Sequence, residues 1–122
     1  MRNALNWFEL FVSDLPRAQR FYEQVLATRL KFEDFGGTPM AIFTEEGVAG
    51  ALVKSPHRTP AADGALVYLN CTGTLDACLA RVEQSGGKVV MPKTDIGDPG
   101  HIALVVDTEG NTVGLHSERQ SG

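Results

Sequence analysis

The chain has 122 residues, 43% hydrophobic and 21% charged, which suits one globular domain and excludes a disordered or fibrous polypeptide. Fifteen acidic residues against eleven basic ones give a net charge of −4, the wrong sign for a generic nucleic-acid or anionic-membrane binder. No apolar run reaches the ~20 residues of a membrane span, residues 1–12 are broken by Asn6 and Glu9 and make a poor signal peptide, and two cysteines are too few for a disulfide framework or a zinc cage, which points to a reducing, cytoplasmic setting.

Residues 6–12 read as a strand, with three aromatics, a β-branched residue and neither Gly nor Pro. Ser13-Asp14 is an N-cap signal with Pro16 in the first turn behind it. Leu15, Ala18, Tyr22, Val25 and Leu26 follow at helical spacing, so 15–26 is an amphipathic helix. Residues 30–35 form a second strand ended by Gly36-Gly37, and 39–44 with 48–54 a hairpin about Glu45-Glu46-Gly47. Residues 55–64, with two prolines and a glycine, are the one linker-like segment.

The same order then recurs. Residues 65–71 are strand-like, and Leu75, Cys78, Leu79 and Val82 mark a helix face that stops at Gly86-Gly87. A strand at 88–91, a turn-rich stretch at 92–100 and a hairpin of 101–106 with 112–116 complete the set. A shift of 60 superimposes Phe8 on Tyr68, Leu15 on Leu75 and Glu23-Gln24 on Glu83-Gln84; a shift of 63 superimposes Glu46-Gly47 on Glu109-Gly110 and Leu52 on Leu115. The pattern is βαβββ twice, an internal duplication. The expected organisation is a single domain over 1–122, with a first module at 5–54, a linker at 55–64 and a second module at 65–117. A half of ~60 residues buries only about 60% of its surface, so the halves are expected to pair through their sheets.

Phe11-Val12-Ser13-Asp14-Leu15-Pro16-Arg17-Ala18 with Phe21-Tyr22, the Gly86-Gly87-Lys88-Val89 step and Ile102-Ala103-Leu104 running to Asp107-Thr108-Glu109-Gly110-Asn111 together resemble the vicinal oxygen chelate superfamily. That group includes glyoxalases, extradiol dioxygenases, fosfomycin-resistance enzymes and bleomycin-binding proteins. The resemblance covers about residues 5–117 and implies an α+β fold in which two βαβββ modules form a curved mixed sheet around a shared cup, helices outside. It also implies a homodimer. The scaffold hosts many chemistries, so it does not name one. Metal-using members place ligands at four inward positions, which spacing transfers to Trp7, Ala51, Val67 and Gly114. None of these side chains binds a divalent cation. No metal and no cofactor are therefore expected, although the family's usual mechanism chelates two substrate oxygens on a metal.

Period-two alternation about Trp7 turns Glu9 and Phe11 inward, together with Met40, Ile42, Val67, Leu69 and Cys71. Glu9, His101 and His116 are the polar points of that apolar cup, the usual composition of a small-molecule site. Glu9 and His116 are the candidate catalytic groups, and Trp7, Phe11, Met40, Val67, Leu69 and His101 the candidate ligand-binding set. A carboxylate inside an apolar strand needs a partner, which makes Glu9 either a structural acceptor or a general base. Cys71 and Cys78 read as core thiols. The expected function is binding of a small organic molecule, without nucleic-acid or membrane partners. The alternatives are a metal-dependent or Glu-assisted lyase, isomerase or dioxygenase acting on a small oxygenated substrate, and a drug- or metabolite-sequestering resistance protein.

Overall fold

The computed structural model describes residues 5, 7–44 and 48–119, so the turn expected at Glu45-Glu46-Gly47 lies outside the described residues. In chain order the elements are β1 (Trp7–Phe11), α1 (Leu15–Leu26), β2 (Leu30–Phe35), β3 (Thr38–Phe43), β4 (Ala49–Val53), β5 (Tyr68–Asn70), α2 (Leu75–Val82), β6 (Lys88–Asp95), β7 (His101–Val106) and β8 (Thr112–Ser117). The βαβββ order appears twice, as the duplication requires. Asp14 caps α1 by accepting the Arg17 N–H at 3.0 Å, Pro16 occupies the first turn, and Ala27 ends the helix in the left-handed region. Leu15, Ala18, Phe21, Tyr22 and Val25 form the buried stripe.

Each module makes its own four-stranded mixed sheet, ordered β1-β4-β3-β2 and β5-β8-β7-β6. The first strand of each lies parallel to the last, and the remaining pairs are antiparallel. β6 runs four residues further than the strand read at 88–91. It accommodates Pro92 because it is an edge strand with register shifts between Val89 and Met91 and between Met91 and Thr94.

Among the described residues no strand of one sheet pairs with a strand of the other. The expectation that the halves pair through their sheets is thereby replaced: they are joined by α1 against α2 and by the turn between β7 and β8. Single side chains make that junction. Arg81 of α2 donates twice to the Val25 carbonyl near the end of α1, at 3.1 and 2.8 Å. Tyr22 donates to the buried Asp107 carboxylate at 2.6 Å. Asn111 reaches three ways, donating to the Phe11 carbonyl (2.8 Å) and to Asp107 (3.2 Å) and accepting from the Ala61 amide in the linker (2.9 Å).

Glu109 closes the clamp at the amino end of α1. Its carboxylate accepts from the Ser13 and Asp14 amides at 2.9 and 2.8 Å and pairs with Arg17 at 2.7 Å, and an anion there also meets the positive end of the helix dipole. Burial pushes this carboxyl up, but the bonds from Arg17, Asp14, Thr108 and Ser13 outweigh it and hold it at about 2. A carboxyl depressed in the folded state stabilises the fold above its unfolded value, here 4.5, and loses that contribution as pH falls from there toward 2. With screening by water at the half-exposed Arg17, the contribution is about 1–2 kcal/mol. Urea titrations across this acid range are expected to show a steeper loss of stability in the wild type than in Glu109→Gln; equal slopes would remove Glu109 from the acid-sensitive set.

Candidate functional site

The helices cover one face of each sheet and leave the other open. On the covered face of the first sheet, Leu10, Val12, Ala41, Phe43 and Leu52 join the helix residues in the core. Trp7, Glu9 and Phe11 therefore look outward from β1, and strand register carries the open face across as Glu9, Ala51, Ile42 and Lys31 in one row and Phe11, Val53, Met40 and Glu33 in the next. In the second sheet Leu69, Cys71, Ala103, Val105, Val113 and Leu115 fill the core. The open face is then Tyr68, Gly114 and Leu104 in one row and Asn70, His116 and Ile102 in the next.

Four expected site residues thus share the open face of the first sheet: Trp7, Glu9, Phe11 and Met40. Trp7 is 41% exposed, and its indole N–H donates to Glu9 at 3.2 Å. Across this face the linker's Arg58 guanidinium lies 6.0 Å from the Phe11 ring centroid, a cation over an aromatic surface. His116 lies on the open face of the second sheet, half-buried, with Nε2 2.7 Å from the Pro99 carbonyl. A carbonyl only accepts, so Nε2 carries the proton and Nδ1 of the neutral ring is the basic nitrogen.

Leu69 and His101 are placed elsewhere. Leu69 packs in the core beneath α2, together with Cys71, and Val67 packs against the same cluster. These three residues were expected in the cup, and the correction has a simple origin. Leu10 opposes Leu52 and Leu69 opposes Leu115, so the first strands of the two modules correspond by a shift of 59, not 60. One residue of slip exchanges the faces of a strand. In β7, Ala103 and Val105, on the same strand face as His101, enter the core, although His101 was expected to face the cup. His101 consequently lies on the covered side, its Nε2 3.7 Å from Asp95. Glu9, His101 and His116 do not form one cluster.

The shift of 59 also moves one ligand position implied by the family resemblance, from Val67 to Leu66. The four positions become Trp7, Ala51, Leu66 and Gly114, an indole, a methyl, an isobutyl group and no side chain at all. Over Gly114 lies the Tyr68 ring, in the space that a Cβ would need. This donor set does not fit a divalent cation, and among the described residues no group of three or more His, Cys, Asp or Glu is placed to hold one.

The open faces are not enclosed pockets. Two grooves, of about 480 and 490 Å3, lie at the amino ends of α1 and α2. The first is walled by Asp14, Gln19, Phe32 and Lys54, the second by Thr74, Lys93, His101 and Arg119. Sequence reasoning missed Tyr68, Asn70, Ile102 and Leu104 as open-face residues. The signal that finds them is the pairing of Leu69 with Leu115, since it sets the register of the whole second sheet.

The family model for the Glyoxalase/Bleomycin resistance protein/Dioxygenase superfamily matches residues 4–115. Proteins named "Putative glyoxylase CFP32" from Mycobacterium bovis and Mycobacterium tuberculosis are 30% identical over 115 residues, 90% of this chain. The match spans only 44% of those relatives' length. Among solved structures, a glyoxalase/bleomycin resistance protein from Albidiferax ferrireducens superimposes with a TM-score of 0.78 at 13% identity, covering 95% of this chain and 99% of that one. A glyoxalase I variant from Zea mays superimposes with a TM-score of 0.67 at 22% identity, covering 91% of this chain and 45% of that one. At such identities the structures show the shared fold and nothing more. From the family model and the two-module architecture together, the chain belongs to the glyoxalase/bleomycin resistance/dioxygenase superfamily.

Proposed function

We propose that this chain is a glyoxalase-like binding protein for a small organic molecule, held against the open sheet faces without the family's usual metal and enclosed when a second copy covers them. The observation that carries this reading is the open face itself. Trp7 and Tyr68, 41% and 44% exposed, stand on bare sheet faces together with only a few polar groups, Glu9 and His116 among them. Large aromatics left in water on a sheet face mark a surface that something covers. The donor-poor ligand positions support a metal-free cup. Two free cysteines agree with a reducing, cytoplasmic setting, and no described helix is long and apolar enough to cross a membrane.

Trp7 is the only tryptophan, so it reports on this surface alone. Titration with a panel of small conjugated, oxygenated compounds is expected to find ones that change its emission saturably. Stacking on the indole is worth roughly 0.5–1.5 kcal/mol, so Trp7→Ala is expected to weaken those compounds about two- to twelvefold while the fold persists. Equal binding to a folded Trp7→Ala variant would remove Trp7 from the site. A catalytic version of the same cup, with Glu9 or His116 as base, is favoured by one detail. The Pro99 carbonyl fixes the tautomer of His116 and leaves Nδ1 to take a proton.

A further inference from the structure

Cys71 and Cys78 are 1% and 2% exposed, unoxidised, and hydrogen-bonded to each other. Their surroundings are not those of inert core thiols. Cys71 stands at the end of β5, its amide bonded to the His116 carbonyl at 2.7 Å, and a turn with Thr74 N–H on Cys71 O at 2.9 Å brings the chain back. Cys78 then falls at the end of the first turn of α2. The Thr74 hydroxyl sits at the capping position yet makes no cap bond; it lies 3.3 Å from the Cys71 carbonyl and 3.7 Å from the Cys78 sulfur. On the other side the Arg81 guanidinium approaches the same sulfur at 3.8 Å while anchored on Val25. A hydroxyl, a cation and a second thiol thus converge on Cys78.

We infer that Cys71 and Cys78 form an oxidisable dithiol, with Cys78 as the attacking sulfur and Cys71 as the resolving one, closing a reversible disulfide across residues 71–78. The converging groups hold the Cys78 thiol down to about 6, the Cys71 hydrogen bond first, against burial that pushes it up; Cys71 is pushed up in turn. A thiolate held in such a setting is the reactive form. Residues 73–77, the segment between the two cysteines, wall the groove of about 490 Å3 at the amino end of α2, where the Thr74 side chain makes no cap bond, and local opening of this turn is the route by which a small oxidant reaches the pair. With a peroxide as oxidant the step balances. The Cys78 thiolate attacks one peroxide oxygen, and the O–O bond breaks to give a sulfenic acid and water. The Cys71 thiol then displaces the second water, forming the S–S bond, so that two electrons leave the two sulfurs and reduce one peroxide.

The test treats the folded protein with hydrogen peroxide, then alkylates the remaining thiols and weighs the intact chain. The inference expects both thiols to disappear together with a mass loss of about 2 Da, and dithiothreitol to restore them. It expects Cys71→Ser to stop at a dimedone-reactive sulfenic acid on Cys78, and Cys78→Ser to leave Cys71 unreacted on the same timescale. Two alkylatable thiols persisting in the peroxide-treated wild type until it is denatured would overturn it. So would wild type that accumulates sulfinic acid without passing through the disulfide. Because the wild-type measurement decides alone, a serine variant that fails to fold does not shelter the inference.

Discussion

Asp107→Ala is expected to destabilise the protein by about 3–4 kcal/mol, with the junction between modules lost first. The carboxylate is 4% exposed and accepts four bonds: from Tyr22 O–H (2.6 Å), Glu109 N–H (2.8 Å), Asn111 N–H (2.9 Å) and the Asn111 side-chain amide (3.2 Å). Alanine leaves the Tyr22 hydroxyl, on a residue 1% exposed, without its acceptor in the core, and each buried polar group so stranded costs about 1–3 kcal/mol. It also releases Asn111, which holds β1 and the linker. Tyr22→Phe removes a single donor and leaves the other three bonds in place, so it is expected to cost only about 1–2 kcal/mol. Urea denaturation of the three proteins measures both differences; an Asp107→Ala cost below about 1 kcal/mol would show that the clamp does not hold the modules together.

Gly100→Ala is expected to be comparably damaging, for a reason confined to the backbone. Gly100 sits at φ +115°, and a Cβ there would overlap the Ser117 carbonyl oxygen and stand 2.7 Å from the Arg119 nitrogen. Backbone at the end of β8 cannot turn aside as a flexible side chain does. The expected cost is about 3 kcal/mol or more, or failure to accumulate folded protein. Gly110 provides the control: at φ +90°, with nothing within 4 Å of its missing Cβ, it carries the conformational penalty without the collision. Gly110→Ala is expected to cost about 1–2 kcal/mol. If the two alanine variants melted together, steric closeness at Gly100 would not be the operative term.

The elements themselves were legible because each carries its own local chemistry. Asp14, Pro16 and the apolar spacing from Leu15 to Val25 specify α1 within a dozen residues, and the turns at Gly36-Gly37 and 107–111 are likewise local. What joins the modules was not legible. Tyr22 and Asp107 are 85 positions apart, and Glu109 is 92 from Arg17, and no periodicity in either segment points to the other. The motif residues that carried the family resemblance turn out to be the two halves of one clamp. Three of the eight candidate site residues, Val67, Leu69 and His101, were misplaced for a different reason. Ala103 and Val105 are as apolar as Ile102 and Leu104, so alternation in β7 cannot say which pair is buried, and the shift of 60 that matched Phe8 to Tyr68 put Val67 and Leu69 on the wrong side by a single residue.

The central claim is that the cup is metal-free and is completed by a second copy of the chain. Native mass spectrometry of freshly purified protein tests this directly, reading subunit number, bound metal and bound organic molecule at once. The account predicts a particle of twice the 13.1 kDa chain mass without a stoichiometric divalent cation, and with any retained ligand on the dimer. A monomer that carries its ligand, or a dimer whose mass includes one transition metal per chain, would contradict it.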